Sequence, residues 1–293
     1  MRGPIPLELT GLSKTFPTPD GPVAAVHNVN ALIQEREFVC ILGHSGCGKS
    51  TVLSIIAGLQ RATLGGVVID GTEVVAPGAD RAVVFQSPCL LPWLSARQNV
   101  ALAMNQRRDR ADHLRQGFGG APSAAAALGT PGGQEVLRHG ETDPRTPPIW
   151  YLDLVGAGDC ADRMPNELSL GTQQCVSLAR ALSLEPRFLL LDEPFSTLDS
   201  LTRFELQDTL LRVWEHQQKT VVMVTHDVDE ALYLADRLIL MTDGPAATVG
   251  ETVPVPFPRP RERTAVLGHA EYYACHRRVI DFLENHARQS RAS

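Results

Sequence analysis

The sequence has no run of about 18 apolar residues and no apolar stretch near its N-terminus that would serve as a secretion signal. It also lacks a basic excess, since 27 Lys and Arg stand against 33 Asp and Glu, for a net charge of −6. Its six cysteines form no CxxC pair. These absences argue against a membrane-spanning chain, a polyanion-binding protein, a disulfide framework and a zinc site. We expect a cytoplasmic protein with reduced thiols and no nucleic-acid partner.

What is present fits a globular protein with a sizeable core, at 43% hydrophobic and 20% charged residues. Short apolar runs predict buried strands at 38–42, 188–191, 220–225 and 238–241. Helical patterns separate the later runs, at about 172–184, 200–217 and 228–236. This alternation predicts an α/β fold with a mainly parallel sheet. Residues 5–35 instead predict short strands around a turn rich in proline and glycine.

Two stretches break this pattern. Residues from about 107 to 148 are rich in Gly, Ala, Pro, Arg and Asp, which predicts a flexible, largely disordered insertion. Residues 254–260 are rich in proline, and we expect them to lead to a short amphipathic helix at about 269–286. The sequence therefore predicts a main domain over residues 1–250, followed over 251–293 by a linker and a helical tail.

The strongest chemical signal is GHSGCGKST at residues 43–51, after a predicted strand and before a predicted helix. The spacing GxxxxGK[ST] lets backbone N–H groups turn toward phosphate oxygens, and the helix N-terminus favours an anion. Lys49 would place its charge on the β- and γ-phosphates, and Ser50 would bind Mg²⁺. A glycine-rich turn with a solvated lysine is the alternative. We predict a nucleotide site formed by Gly43, Ser45, Gly46, Cys47, Gly48, Lys49, Ser50 and Thr51.

Polar side chains follow three of the other apolar strands. Asp192 and Glu193 end the run that begins at residue 188, and the carboxyl ends of such strands face the ligand crevice. Asp192 would hold Mg²⁺, and Glu193 would orient or deprotonate the attacking water. Gln86 is placed to reach the metal or the water, and His226 the γ-phosphate. Solvated polar residues at strand ends are the alternative for all four.

In this order the segments resemble the ATP-binding-cassette (ABC) ATPases. Residues 43–51 resemble the Walker A loop, Gln86 the Q-loop glutamine, and 189–193 the Walker B segment. The resemblance continues with the signature sequence at 168–174, the D-loop at 196–199, which contains Asp199, and the switch histidine, His226. Phe16 stands where the family stacks an aromatic ring on adenine. The resemblance implies a P-loop NTPase with a RecA-like parallel-sheet core, an N-terminal antiparallel β subdomain and a helical subdomain over about 87–180.

The same resemblance implies how such a chain works. Two cassettes, identical or different, pack head to tail, so that each ATP with its Mg²⁺ lies between two subunits. The second subunit would contribute Ser169, Gly171 and Gln174, with Asp199 at the dimer contact. The implied partners are two transmembrane permease subunits and, indirectly, a periplasmic or lipoprotein solute-binding protein. This places the chain at the cytoplasmic face of the plasma membrane.

A finer resemblance narrows the substrate. The segment QSPCLLPWL at 86–94 is similar to importers of nitrate, sulfonate, taurine and bicarbonate. MTDGPAA at 241–247 and PFPRPR at 256–261 resemble the nitrate type, which we expect here, without a fused solute-sensing domain. Sulfonate, taurine and bicarbonate remain alternatives. Trp93 either lies in the groove for the permease or packs in the core.

Three other classes stay open at this point. Leu170 and Cys175 depart from the family signature, so one alternative is a catalytically weak, ATP-binding regulatory subunit. A soluble ABC ATPase acting on nucleic acid or the ribosome usually has two cassettes and a basic surface, and this chain has neither. A P-loop kinase would lack the signature, the D-loop and the switch histidine.

Overall fold

The computed structural model of the protein describes residues 7–117 and 146–292. The strands are, in chain order, β1 (Leu7–Thr18), β2 (Gly21–Ile33), β3 (Phe38–Leu42), β4 (Leu64–Ile69), β5 (Thr72–Glu73), β6 (Arg81–Val84), β7 (Phe188–Asp192), β8 (Thr220–Thr225), β9 (Arg237–Met241) and β10 (Val249–Pro254). The α-helices are α1 (Lys49–Ile56), α2 (Ala96–Gly117), α3 (Pro148–Leu154), α4 (Leu170–Ser183), α5 (Ser200–Gln217), α6 (Val228–Leu234), α7 (Arg263–Leu267) and α8 (Tyr272–Ala292). Within these described ranges, no helix combines the length and the apolar character needed to cross a membrane.

The chain divides into two compact units, one of them made of Met1–Cys89 and Pro186–Ser293, the other of Leu90–Glu185. The polypeptide leaves the first unit after β6 and returns in β7. These two strands pair directly with each other in parallel, from Arg81 opposite Phe188 to Val84 opposite Leu191. The second unit is therefore an insertion between neighbouring strands of one sheet, which tolerates it because the ends of the insertion emerge close together.

The main sheet of the first unit has six strands in the order β10-β9-β3-β8-β7-β6. Five of them run parallel, and β10 pairs with β9 in the antiparallel direction at one edge. Every residue of β3 and β8 is buried, as expected for apolar strands covered on both faces. The predicted α/β fold with a mainly parallel sheet is confirmed.

The N-terminal region forms a separate sheet in the order β2-β1-β4-β5, and its paired strands are antiparallel. We expected several short strands over residues 5–35, but the described part forms two long strands. The turn residues all fall at one hairpin, where Pro17 lies opposite Pro22 and Thr18 opposite Gly21. The register between β1 and β2 shifts at several points, but both strands continue through these shifts.

The second unit is helical and contains α2, α3 and α4. We predicted a flexible insertion from about residue 107, but α2 continues to Gly117. Arg107 forms an ion pair with Glu185, and its guanidinium also lies 3.4 Å from the carbonyl oxygen of Ser183. These contacts fix α2 to the end of α4 at the point where the insertion was predicted to begin. The rest of the predicted insertion, residues 118–145, lies outside the described residues.

The C-terminal region differs from the predicted linker and tail. The boundary expected after residue 250 falls inside β10, which belongs to the main sheet. The proline-rich segment is packed rather than free, because Arg261 is only 7% exposed and donates to backbone carbonyls after α6 and within it. The final helix, α8, covers Tyr272–Ala292 and is longer than the predicted 269–286.

Candidate functional site

The phosphate loop, residues 43–51, connects the buried strand β3 to α1. Gly46 and Gly48 both have left-handed backbone angles, with φ of 83° and 94°. A Cβ at Gly48 would lie 2.5 Å from a methyl carbon of Val26, so only glycine fits there. Gly48 is also the N-cap of α1, and no side chain caps the helix. The loop therefore leaves backbone N–H groups of the helix start available to an anion.

Lys49 is buried, with 4% of its surface exposed, although it carries a charge. Its ammonium group donates hydrogen bonds to the carbonyl oxygens of Gly43 at 2.8 Å and His44 at 2.9 Å. These bonds hold the charge inside the curve of the loop. A buried, oriented ammonium group interacts with a phosphate far more strongly than a solvated one does.

The other predicted residues of the phosphate loop differ in how far their side chains are exposed. Ser45 and Ser50 are exposed and Thr51 is half-buried. Cys47 is only 1% exposed, and burial raises the pKa of its thiol. The Cys47 side chain is thus part of the core, and its backbone N–H is the group that a phosphate could use.

Ser50 and Asp192 meet at the edge of the loop. The Ser50 hydroxyl donates to a carboxylate oxygen of Asp192 at 2.8 Å. Burial raises the pKa of Asp192, and the hydrogen bond from Ser50 partly opposes this shift. A hydroxyl and a carboxylate oxygen in contact are hard oxygen donors of the kind that Mg²⁺ prefers, so these two residues fit that ion.

Glu193 and His226 come from the ends of two neighbouring strands, β7 and β8. The imidazole Nδ1 of His226 lies 3.3 Å from a carboxylate oxygen of Glu193. Glu193 has a left-handed backbone with φ of 45°, which is held by a 3.0 Å hydrogen bond from its N–H to the carbonyl of Val224. An unfavourable backbone of this kind persists where its surroundings enforce it, and such positions concentrate at functional sites.

Gln86 reaches the same region through a serine. Its amide donates to the Ser196 hydroxyl at 3.0 Å, and that hydroxyl donates to the carbonyl of Glu193, also at 3.0 Å. Gln86 is itself exposed. The structure thus links the predicted glutamine to the segment that contains Glu193. Its predicted contact with the metal stays a prediction.

Phe16 lies on β1 of the antiparallel sheet and is half-buried. The ammonium of Lys14 is 5.0 Å from the centre of its ring. A cation on one face of an aromatic ring leaves the other face able to stack. The predicted stacking on adenine remains a prediction.

Asp199 caps the start of α5 by accepting hydrogen bonds from the N–H groups of Leu201 and Thr202, at 3.2 and 3.1 Å. A hydrogen bond with the Thr202 side chain is the largest cause of a lowered pKa of Asp199, and the bonds from the backbone N–H groups add to it. Its carboxylate therefore has a structural role within this subunit. A contact with a second subunit is still only predicted.

The predicted signature residues are at the start of α4 in the helical unit. Ser169 is exposed and caps the helix by accepting from the N–H of Thr172 at 3.1 Å. Gly171 is buried, and Gln174 is only 2% exposed. We predicted that Gln174 contacts the opposite subunit, but its side chain lies inside its own unit. Of these three residues, Ser169 is thus the one whose side chain is accessible.

Comparison with known proteins agrees with this arrangement. The ABC transporter family matches residues 26–196, which is more than half of the chain. The chain belongs to the ABC transporter family. The predicted α/β cassette and its ATPase class are thereby confirmed, and the chain is an ABC-type ATPase.

Relatives of this cassette match it over nearly its whole length. It is 46% identical over 272 residues to the nitrate import ATP-binding protein NrtD of Synechococcus elongatus, covering 93% of this chain and 89% of the relative. It is 41% identical to the bicarbonate transport ATP-binding protein CmpD of the same organism, covering 95% and 90%. It is also 41% identical to the nitrate transport protein NasD of Klebsiella oxytoca, covering 94% and 95%.

Solved structures show the same fold. The cassette is similar to a dimeric bacterial ABC transporter cassette, with a TM-score of 0.65 and 31% identity over 86% of this chain and all of the other. It is also similar to a dimeric cassette in a post-hydrolysis state with bound ADP and phosphate, with a TM-score of 0.63, 30% identity and the same coverage of both chains.

Sequence reasoning missed one contact at the phosphate loop. His44 in the phosphate loop and Asp243 after β9 are in contact, with 2.7 Å between Nδ1 and a carboxylate oxygen. The residues are almost 200 positions apart, so no local pattern joins them. The available signal was the MTDGPAA segment, which the sequence analysis used only as a mark of resemblance.

Proposed function

We propose that this chain is the ATP-hydrolysing subunit of an importer for a small inorganic anion, and that the anion is nitrate. The proposal of ATP hydrolysis rests on the contact between Glu193 and His226, which lies beside the pair formed by Ser50 and Asp192. The anion is inferred from relatives, because two of those compared are nitrate transport proteins. Bicarbonate is the competing substrate, on the basis of a relative with lower identity.

Binding of ATP rests on the phosphate loop. Backbone N–H groups around Gly46 and Gly48 would surround the phosphates, and Lys49 would turn from the carbonyls of the loop to the β- and γ-phosphates. Ser50 and Asp192 would hold Mg²⁺ on the same phosphates. The ion supplies charge neutralisation when it is bound.

Hydrolysis requires a water molecule aimed at the γ-phosphate. Glu193 is the residue that would accept a proton from this water or orient it. His226, 3.3 Å from the Glu193 carboxylate, would keep that carboxylate in place and reach the γ-phosphate. Gln86 would be linked to the site through Ser196, because its amide donates to the Ser196 hydroxyl. Removal of a general base typically slows such a step by about 10²- to 10⁴-fold.

The site is completed by a second cassette in this proposal. The exposed Ser169 and the backbone of Gly171 would face the γ-phosphate held by the partner copy, with Gln174 supporting α4 from inside. Asp199 would lie at the contact between copies. Closing the pair around ATP and reopening it after hydrolysis would then drive the transporter.

The cassette would act at the cytoplasmic face of the plasma membrane, with two permease subunits and, through them, a solute-binding protein. Trp93 is the best candidate for a permease contact, because it is 68% exposed. An indole on the surface is typical of a binding surface and inconsistent with the core alternative for this residue.

A complementation experiment tests both parts of the proposal. Cells that lack their own copy of this chain would receive the wild type, Glu193→Gln or Glu205→Gln, the last an exposed control on α5. We expect wild type and the control to restore uptake of labelled nitrate. Glu193→Gln should not, and its purified form should bind ATP but hydrolyse it at least 10²-fold more slowly.

The outcomes separate the parts. Restored uptake of bicarbonate or taurine instead of nitrate would overturn the assignment of nitrate as the anion. It would leave the assigned ATPase activity in place. Full hydrolysis by purified Glu193→Gln would overturn the assigned base.

A further inference from the structure

The helix α6 begins at Val228, two residues after His226. Asp227 is its N-cap, and its carboxylate accepts from the N–H of Glu230 at 3.0 Å. The N–H of Asp227 in turn donates to the Thr225 hydroxyl at 3.0 Å. Because His226 lies between these two anchored residues, a movement of α6 would move its imidazole relative to Glu193.

The end of α6 is held by arginines of the C-terminal segment. Arg261, almost fully buried, donates to the carbonyl oxygens of Tyr233 at 3.0 Å and Ala235 at 2.7 Å. Arg259 donates to the carbonyl of Leu234 at 2.6 Å and to the Asp236 carboxylate at 2.8 Å. The last carbonyls of a helix carry partial negative charge and lack partners within the helix, so guanidinium groups stabilise this end.

The first turn of α6 is held by α8. The Tyr272 hydroxyl donates to a carboxylate oxygen of Asp229 at 2.5 Å, and Nε2 of His276 lies 3.3 Å from the same oxygen. Tyr272 is only 6% exposed, and the centre of its ring lies 6.1 Å from that of Phe257. The Tyr272 ring is thus packed, whereas the Asp229 carboxylate that it contacts lies at the surface, with its side chain 67% exposed.

We propose that this C-terminal clamp, defined as Arg259, Arg261, Tyr272 and His276, positions α6 and thereby sets the rate at which the switch histidine supports hydrolysis. Six of the seven residues of α6 are buried, so core packing holds the helix, and the clamp adds polar contacts at both of its ends. The inference rests on the proposed function, because it assigns His226 to the hydrolytic site. Displacement of the C-terminal segment would then slow ATP hydrolysis without blocking ATP binding.

The test removes one hydroxyl and compares neighbouring tyrosines. Tyr272→Phe deletes the donor to Asp229 and keeps the ring, whereas Tyr273→Phe makes the same chemical change at a residue that is 77% exposed and outside the clamp. For Tyr272→Phe we expect kcat to fall about fivefold, with KM for ATP changed less than twofold. Tyr273→Phe should match the wild type in both.

A second readout detects the position of the histidine. The imidazole resonances of His226, assigned with His226→Gln, should shift in Tyr272→Phe and stay unchanged in Tyr273→Phe. A merely structural role would lower the unfolding midpoint but would not move these resonances in the folded protein. His276→Ala removes the second contact on Asp229 and should lower kcat in the same direction, which covers the case in which Tyr272→Phe does not fold.

Failure of the clamp is distinguishable from failure of the proposed function. If His226→Gln reduces hydrolysis but neither Tyr272→Phe nor His276→Ala changes kcat or the His226 resonances, the clamp alone is overturned. If His226→Gln hydrolyses ATP at the wild-type rate, the assignment of the histidine is overturned, and the clamp with it.

Discussion

At the scale of single residues, the phosphate loop depends on the absence of a side chain at Gly48. A Cβ there would meet Val26 at 2.5 Å and the Ala25 carbonyl at 3.1 Å, in addition to the strain of a φ of 94°. We expect Gly48→Ala to weaken ATP binding at least 10-fold and to lower the free energy of unfolding by about 2 kcal/mol or more. Calorimetric titration with ATP and urea denaturation measure the two effects.

Gly71 provides the matched control for this substitution. It has a similar left-handed backbone, with φ of 72°, but a Cβ there would meet nothing within 4 Å. Gly71→Ala should therefore cost only the backbone strain, about 1 kcal/mol, and leave ATP binding unchanged. Equal effects of the two substitutions would show that close contact at Gly48 is unimportant.

At the scale of elements, a short turn in the helical unit holds Trp93 on the surface. The turn is fixed by Asn99, which is fully buried and whose amide oxygen accepts from the N–H of Leu91 at 2.9 Å. The amide nitrogen of Asn99 donates to the carbonyls of Leu91, Leu94 and Ser95. The turn therefore keeps its shape without help from the exposed indole.

This arrangement predicts a separation of transport from hydrolysis. Trp93→Ala should leave the free energy of unfolding within about 0.5 kcal/mol of the wild type, because the side chain is exposed. Basal ATP hydrolysis by the isolated chain should also be unchanged, while nitrate uptake in the complementation assay should fall at least fivefold. Uptake at the wild-type level would remove Trp93 from the proposed permease contact.

Asn99→Ala is the comparison for that experiment. It leaves buried N–H and carbonyl groups without their partner, which costs about 1–3 kcal/mol for each unpaired group. We expect a lower unfolding midpoint for Asn99→Ala, in contrast to Trp93→Ala. The pair separates loss of a contact surface from loss of the fold that presents it.

At the scale of the whole molecule, one buried carboxyl couples stability to pH. Glu230 is 5% exposed and accepts from the Gln207 amide at 3.0 Å, and burial raises its pKa from 4.5 to about 7. Between these two pH values the folded chain retains a proton that the unfolded chain releases. The contribution of Glu230 to the free energy of unfolding therefore falls as the pH rises from about 4.5 to about 7, and this loss persists above pH 7.

Replacement of this carboxyl by an amide removes the pH-dependent loss. We expect Glu230→Gln to raise the free energy of unfolding by about 2 kcal/mol at pH 8 and to change it little near pH 4.5. Urea denaturation at both pH values measures the difference, with the exposed Glu205→Gln as a control that should have little effect at either. A stabilisation that is larger at the acidic pH would contradict the assignment to Glu230.

Much of this cassette could be predicted from its sequence, because the relevant signals are local. The phosphate loop at 43–51 needs only its own glycines and the strand and helix beside it. The apolar strand that ends in Asp192 and the one that His226 follows indicate a parallel sheet, and parallel strands bring their carboxyl ends to one edge. The α/β fold, the family and the ATPase class follow from these segments.

The tertiary structure alone decided which distant side chains meet and which are hidden. The contacts of His44 with Asp243, Tyr272 with Asp229, and Arg107 with Glu185 each join residues that no local pattern relates. The burial of Gln174 depends on how α4 packs in its unit. The C-terminal segment was predicted as a linker because its prolines break helices, but its arginines find the carbonyls of α6 only in the folded chain. Local backbone preference is written in the order of residues, whereas long-range pairing depends on the free energy of packing the whole chain.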